Sequence, residues 1–236
     1  MATGGHVKAL LNLGLHDPNI IGRPDVVTTL MEDTSGPWME YFAHKDARDQ
    51  QGQFMADAYL SLIKGRTIIA EAPTGLGKTA ASLASALAAM KQSENVKKIL
   101  FLTGRQSQHK IVIDTVRKLN DNRKDHPNVA IVDLIGRESM CGKLTIDRQC
   151  FCEEGVSEKA RGGRRSQLKR WILEWPRHVE ETVKNGRIEG TCPYMCCIEA
   201  AREAEIIVMD YNHVFVESVS DSSLPSMSID VGSSIV

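Results

Sequence analysis

The chain has 236 residues, of which 42% are hydrophobic and 25% are charged, so it is long enough to bury a large core. Its net charge of −1 excludes a simple polybasic nucleic-acid binder. The longest small-apolar run, residues 80–90, is far shorter than the roughly 18 residues that a membrane span needs. The N-terminus lacks a signal peptide with a cleavage site, so we expect a cytoplasmic protein (nucleoid-associated, or nuclear in a eukaryote) without membrane contact. In such a compartment, six cysteines favour a metal site over disulfides.

The predicted elements alternate between helices and strands after the first 45 residues, which show no strong periodicity. Apolar residues at helical spacing predict helices, and short β-prone apolar runs predict strands. In chain order these are a helix at 54–64, a strand at 67–72, a helix at 78–91, a strand at 98–103, a helix at 107–120, a strand at 129–134 and a later strand at 205–210. This alternation is typical of an α/β fold with a parallel sheet.

The alternation stops near residue 136, and the composition differs until about residue 198. All six cysteines and a basic run at 159–170 lie in this stretch, which contains no clear strand. We therefore predict a small, mostly helical, cysteine-rich insertion. The predicted organisation is an N-terminal extension at 1–45, the first part of the α/β domain at 46–136, the insertion at 137–198 and a return to the α/β domain at 199–236. Within the last part, the Ser-rich tail at 218–234 is predicted to be a loop.

The sequence EAPTGLGKTA at 71–80 has the features of a loop that grips nucleotide phosphates. Its glycines let the backbone curl so that N–H groups point at phosphate oxygens, and the following helix adds the positive end of its dipole. Lys78 would reach the β- and γ-phosphates, and the Thr79 hydroxyl would ligate Mg²⁺, so these two residues are the catalytic candidates. The residues predicted to bind the nucleotide in this loop are Ala72, which replaces the usual glycine, Pro73, Thr74, Gly75, Leu76, Gly77, Lys78 and Thr79.

Around this loop the chain resembles the first motor domain of XPD/DinG-type superfamily 2 helicases, the iron–sulfur DNA helicases. RDQQGQFM at 48–55 resembles the family's R-x-x-Q element, which implies that Gln51 reads the adenine of ATP. FLTGRQSQHKIVIDTV at 101–116 resembles motif Ia, which touches the DNA backbone, and residues 192–215 resemble the segment that begins at the last cluster ligand. The resemblance covers roughly residues 45–236. It implies a RecA-like fold, use of ATP and Mg²⁺, 5′→3′ movement on single-stranded or forked DNA, and a role in repair or recombination.

The resemblance also implies a [4Fe–4S] cluster in the insertion, held by four cysteines whose soft thiolates suit iron. By position, Cys141 and Cys192 match the first and last ligands, and Cys150 and Cys152 match the middle pair. One cysteine of the Cys196–Cys197 pair could replace a member of the middle pair. A zinc site with four cysteines and a set of buried, unligated cysteines are the alternatives.

The basic run beside the cysteines allows two interpretations. It could contact the phosphates of a single strand that passes beside the insertion, or it could be an ordinary solvated face. Its charged members are Arg161, Arg164, Arg165, Lys169 and Arg170.

Hydrolysis of ATP requires an acidic residue on Mg²⁺ and a carboxylate that activates water. Asp210 ends an apolar strand, but Tyr211 and not a second acid follows it, so we do not predict this role for Asp210. In the resembled family the Asp-Glu-Ala-His element follows a strand whose start resembles SSIV at 233–236. We therefore expect the N-terminal part of a helicase, which binds ATP without turning it over and relies on a second motor domain in the full-length protein.

Two other functions stay possible at the level of the sequence. One is a non-catalytic nucleic-acid-binding or redox-sensing module that keeps the cluster but not the motor. The other is a P-loop kinase or other transferase with a zinc site in the insertion. The sequence predicts no particular oligomeric state.

Overall fold

The computed structural model describes residues 8–12, 35–141 and 151–236. These residues form two compact units, which divide between Val96 and Lys97. Most of the predicted N-terminal extension, and also Cys150, lie outside the described residues. Within the described ranges, no helix is both long enough and apolar enough to cross a bilayer.

The first unit combines an antiparallel pair of strands with two α-helices. In chain order its elements are β1 (Lys8–Asn12), a 3-10 helix at Pro37–Tyr41, α1 (Asp49–Ile63), β2 (Thr67–Glu71) and α2 (Lys78–Gln92). Strand β2 pairs with β1 over its whole length. Strand β1 is not predicted by the sequence, since the first 45 residues show no strand periodicity. The strand that precedes the predicted phosphate loop therefore belongs to a two-stranded antiparallel sheet of its own.

Helices α1 and α2 form the core of the first unit. Helix α2 is rich in alanine, and small side chains let two helices approach closely. Ser85 is buried in α2, and its hydroxyl donates to the carbonyl of Met55 on α1 at 3.0 Å. Trp38 and Tyr59 add an aromatic contact, with ring centroids 5.3 Å apart. The Ser85 contact joins α1 to α2, on whose first turn Lys78 and Thr79 lie.

A parallel sheet forms the centre of the second unit. Its strands are β3 (Lys98–Leu102), β4 (Ile131–Asp133), β5 (Ile206–Met209) and β6 (Ser234–Ile235), in the spatial order β4-β5-β3-β6. Every pairing in this sheet is parallel, which confirms the predicted α/β fold with a parallel sheet. Strands β4 and β5 are buried throughout, as expected for strands covered on both faces.

Helices cover this sheet and connect its strands. They are α3 (Gln106–Asn122), α4 (Arg137–Met140), α5 (Glu158–Glu174), α6 (Val179–Glu189), α7 (Pro193–Ala201), α8 (Asn212–Phe215) and α9 (Glu217–Ser226). Helices α4 to α7 all lie between β4 and β5 in the chain, and the described residues between those two strands contain no further strand. The cysteine-bearing stretch is thus helical in its described part.

The Ser-rich tail is helical in its first part, where the sequence predicts a loop, so that prediction is wrong for residues 218–226. Leu224 and Met227 pack against the core of the second unit and hold the segment in place. Serine hydroxyls also donate to backbone carbonyls three residues earlier, which keeps them compatible with the helix; these are Ser220, Ser222 and Ser226. Local composition misses this helix because a few tertiary apolar contacts decide it.

Candidate functional site

The predicted phosphate loop connects β2 to α2. Gly75 (φ +85°) and Gly77 (φ +84°) have left-handed backbone conformations that glycine adopts without a steric penalty. Gly77 caps the N-terminus of α2, and Lys78 is the first residue of that helix. Residues 73–75 are exposed, whereas Leu76 is buried and anchors the loop to the core of the first unit. Loop backbone and the positive end of the helix dipole therefore meet at one exposed place, as anion binding requires.

The two catalytic candidates lie in the first turn of α2, as predicted. The ammonium of Lys78 is exposed and donates to the carbonyl oxygens of Ala72 and Pro73, at 3.0 Å each. Thr79 is half-buried beside it. The Lys78 ammonium thus already lies over the loop that is predicted to bind the phosphates of the nucleotide.

Two side chains from the start of α1 contact the carbonyls of the same loop. The side-chain amide of Gln51 donates to the Gly77 carbonyl at 3.2 Å, and its oxygen accepts from the Arg48 backbone N–H at 3.3 Å. The Arg48 guanidinium donates to the Gly75 carbonyl. A Cβ at position 77 would lie 2.5 Å from the Gln51 amide nitrogen, so glycine is needed there for space as well as for its φ angle. The predicted adenine reader is therefore buried against the phosphate loop itself.

Three of the four predicted cluster ligands lie among the described residues, in the second unit. The sulfur atoms of Cys141 and Cys152 are 3.3 Å apart. Cys192 is buried, and its neighbours Thr191 and Pro193 line a cavity of about 440 Å³ together with Cys152. Three thiols near one cavity are suitable donors for an iron–sulfur cluster or for zinc. In the described ranges, however, no three His, Cys, Asp or Glu side chains converge closely enough to form a metal centre.

The adjacent cysteines of α7 are part of the core. Cys196 and Cys197 are fully buried; the Cys197 thiol donates to the Asp133 carbonyl at 3.8 Å. Burial raises the pKa of the Cys196 thiol to about 12 and holds the pKa of Cys197 well above its usual value. Both side chains are therefore packed in the apolar core of the second unit.

A buried carboxylate that the sequence analysis does not single out lies next to two predicted ligands. Glu153 accepts from the Arg165 guanidinium at 2.9 and 2.5 Å, from the Thr191 hydroxyl at 2.6 Å and from the Cys192 backbone N–H at 3.3 Å. Burial alone would raise the pKa of Glu153, but these hydrogen bonds outweigh burial and lower the pKa to about 2. Its only signal in the sequence is its place directly after Cys152, since its partners lie far along the chain.

The basic run on α5 makes mostly internal contacts. Arg165 forms ion pairs with Glu153 and Glu199, and Lys169 pairs with Glu203 at 2.7 Å. Arg164 is exposed and donates to a backbone carbonyl of the loop after α6. Three of the five predicted cations, namely Arg161, Arg165 and Lys169, thus have carboxylate partners within the protein. These internal contacts therefore argue against a continuous DNA-binding face on α5.

A second buried network joins α3, which begins in the predicted motif Ia, to the start of α6. The His109 ring on α3 contacts Asp133 at 2.6 Å, and the other oxygen of Asp133 accepts from the Val179 N–H at the start of α6, at 2.8 Å. Burial alone would lower the pKa of His109. The hydrogen bond to Asp133 and the negative charge of Asp133 outweigh burial, so the pKa of His109 is raised. The sequence gives no sign of this pairing, because Asp133 ends an ordinary apolar strand.

Asp210, for which the sequence predicts no magnesium role, has a local structural contact. Its carboxylate accepts from the backbone N–H of Asn212 at 2.8 Å, at the start of α8. Such a contact with the backbone two residues on is an Asx turn.

Comparison with known families gives two matches. The DEAD/DEAH box helicase family matches residues 49–144, which include the phosphate loop, and the DEAD_2 family matches residues 101–236, which include all six cysteines. Among solved structures the chain is similar to one named XPD_Helicase, with 20% sequence identity and a TM-score of 0.51 over 81% of this chain. It is also similar to one named Truncated XPD, with 18% identity and a TM-score of 0.47 over 76% of this chain and 49% of that one.

The chain spans about a third of XPD_Helicase, 32% of its length, and this likeness supports a RecA-like α/β fold. The DEAD_2 match by itself covers more than half of the chain. Together with the DEAD/DEAH box match, it confirms the resemblance drawn from the phosphate loop and the flanking motifs. The chain therefore belongs to the DEAD_2 family of XPD/DinG-type superfamily 2 helicases.

Proposed function

We propose that the chain is part of an ATP-dependent DNA helicase that moves 5′→3′ on single-stranded DNA, opens forked DNA, and acts in repair or recombination. Family membership supports a helicase-type enzyme that uses ATP and Mg²⁺ and binds nucleic acid. Because the chain spans about a third of XPD_Helicase, a second motor domain in the full-length protein is part of the proposal. A cytoplasmic or nuclear location is also part of the proposal.

The geometry of the phosphate loop is the observation that carries the nucleotide part of the proposal. Backbone N–H groups of the curled loop would bind the phosphates, and Lys78 would leave the carbonyls of Ala72 and Pro73 to bind the β- and γ-phosphates. The Thr79 hydroxyl would ligate Mg²⁺, which bridges the same phosphates. Since Lys78 and Thr79 are consecutive in the first turn of α2, one rigid element positions both.

The proposal assigns the cysteine-bearing helices to an iron–sulfur domain. Cys141, Cys152 and Cys192, with Cys150, would hold a [4Fe–4S] cluster, which supplies a rigid, redox-active centre when bound. The closeness of the Cys141 and Cys152 sulfur atoms and the shared cavity beside Cys192 support this ligand set. The corresponding domain limits are 46–136 and 199–236 for the motor domain and 137–198 for the iron–sulfur domain.

ATP binding and turnover by the 236-residue chain test the proposal. The chain contains the phosphate loop but no Asp-Glu-Ala-His sequence, so we expect it to bind ATP·Mg²⁺ and not to hydrolyse it. Loss of preorganised charge around the transferred phosphate typically costs about 10³-fold or more in rate. Equilibrium binding of a fluorescent ATP analogue and a steady-state ATPase assay with single-stranded DNA measure the two properties.

Lys78→Ala is the matched variant for both measurements, and Lys91→Ala, at the other end of α2, is the control. We expect Lys78→Ala to abolish nucleotide binding and Lys91→Ala to preserve it. Absence of nucleotide binding by the unaltered chain would contradict the nucleotide part of the proposal. Strong ATP turnover that disappears with Lys78→Ala would instead show that the chain contains its own water-activating acid.

A further inference from the structure

The hydrogen bonds of Glu153 join three separate segments of the second unit. Glu153 lies in the segment after the first cysteines, Arg165 lies on α5, and Thr191 and Cys192 lie between α6 and α7. All the partners donate to one carboxylate, at 2.5 to 3.3 Å. We call Glu153, Arg165, Thr191 and Cys192 the Glu153 clamp.

The clamp connects two of the predicted ligand positions directly. Cys152 precedes Glu153 in the chain, and the Cys192 backbone N–H is itself one of the donors. The two cysteines are 40 positions apart in sequence, so nothing local holds them together. The Glu153 carboxylate therefore holds together two segments that are far apart in the covalent chain.

Because Glu153 is buried, only a partner that satisfies its charge and geometry can hold it in place. The carboxylate is 9% exposed and would be strongly disfavoured there without partners. The planar guanidinium of Arg165 meets it through two nitrogens, a geometry that the ammonium of lysine cannot reproduce. Arg165 is therefore the guanidinium that hydrogen-bonds to Glu153, and Arg161 lies 3.7 Å away as a second cation. The Cys192 backbone N–H in turn has Glu153 as its acceptor.

We propose that Glu153, held by Arg165, is a positioning residue that keeps the Cys152 and Cys192 segments together before any metal binds. The metal part of this inference rests on the proposed iron–sulfur domain, whereas the pairing of the two segments does not. A preformed pair of ligand segments lowers the ordering cost of metal binding and slows metal loss. Partners outside the ligand set commonly change metal affinity by about 10- to 100-fold.

Hydrogen exchange of the Cys192 amide in chelator-treated, metal-free protein tests the pairing. We expect Glu153→Ala to accelerate exchange at this amide by about tenfold or more, because its acceptor is removed. Glu154→Ala is the control, since Glu154 is exposed and adjacent in sequence. Circular dichroism confirms that each variant is folded, and Glu153→Gln, which keeps an acceptor oxygen, replaces Glu153→Ala if the latter unfolds. Unchanged exchange in the folded Glu153 variant would overturn the inference.

Metal retention tests the second half of the inference. Iron and zinc are measured per chain, followed by the rate at which EDTA removes the bound metal. We expect faster loss, by about 10- to 100-fold, in Arg165→Lys as well as in Arg165→Met, because charge without the planar fork does not hold Glu153. If Arg165→Lys lost its metal no faster than the unaltered chain, the proposed role of the planar Arg165 guanidinium would be overturned. An unaltered chain with a protected Cys192 amide but no iron or zinc would contradict the proposed cluster while supporting the clamp.

Discussion

At the scale of single residues, Gln51 illustrates how a side chain can affect nucleotide binding from a buried position. Its amide contacts the Gly77 carbonyl and the Arg48 N–H, so both ends of the amide hold the loop and its own helix start. The resemblance predicts that Gln51 reads adenine. The contacts indicate that Gln51 also supports the phosphate loop. The two roles have different effects on the binding of a phosphate ligand that has no base.

We expect Gln51→Ala to weaken binding of ATP and of inorganic tripolyphosphate by similar factors, about two- to tenfold each, since one hydrogen bond to the loop is lost. Competition against a fluorescent ATP analogue measures both ligands. Gln53→Ala is the control, because the Gln53 amide contacts Asp57 on the same helix and not the loop. Weaker ATP binding with unchanged tripolyphosphate binding would support adenine reading.

At the scale of elements, Asp133 links three parts of the second unit that are far apart in sequence. It ends β4, accepts from the start of α6 and contacts His109 on α3. His178 at the N-terminus of α6 lies 3.7 Å from the same carboxylate. An ion pair between Glu181 and Arg117 adds a second connection between α6 and α3. Helices α3 and α6 are thus joined by the buried contacts of Asp133 and by a partly exposed ion pair.

This network predicts a pH dependence of stability. The pKa of His109 is raised in the folded protein from its usual 6.5, so its contribution to stability is fully present below that value and is lost as the pH rises through the raised pKa. We therefore expect the difference in unfolding free energy between the unaltered chain and His109→Gln to shrink as the pH rises through this window. Urea unfolding at a series of pH values measures it, with the exposed His126→Gln as the control. A difference that grows with pH would contradict the charged pair.

Helix α5 allows a narrower prediction about DNA than its basic composition suggests. Because Arg165 and Lys169 are paired with carboxylates, only the exposed Arg164 and Arg170 are expected to contact phosphates. Changing both exposed arginines to alanine should flatten the salt dependence of single-stranded DNA binding by up to about two units in slope. Fluorescence anisotropy over a range of salt concentrations measures this slope. An unchanged slope would assign the helix to solvated surface.

At the scale of the whole molecule, the metal content decides among the functions that the sequence leaves possible. We expect anaerobically purified protein to be brown and to contain about four irons per chain, as a [4Fe–4S] cluster requires. Replacing Cys141 or Cys192 should abolish the iron. Cys197→Ala should retain it, because that thiol lies in the core and contacts the Asp133 carbonyl. Iron-free protein with stoichiometric zinc would contradict the cluster and favour a zinc-containing transferase.

The sequence by itself determines the features of this protein that depend on neighbouring residues. The curled loop, with Gly75 and Gly77 at positive φ, follows from local backbone freedom, and the start of α2 at Lys78 follows from local helix propensity. The strands of the parallel sheet follow from short apolar runs in the same way. These elements predict the fold class, and the phosphate loop with its flanking motifs carries the resemblance to the family.

Only the tertiary structure decides the pairings between distant residues. The partners of Glu153 lie 12 to 39 positions away, the Asp133–Val179 contact spans 46, and no local pattern encodes either distance. The same holds for α9, which a few apolar contacts stabilise despite a composition typical of loops, and for β1 as the partner of β2. The physical reason is that buried charges and apolar side chains gain their free energy from whichever segment packs against them, and the packing exists only in the folded chain.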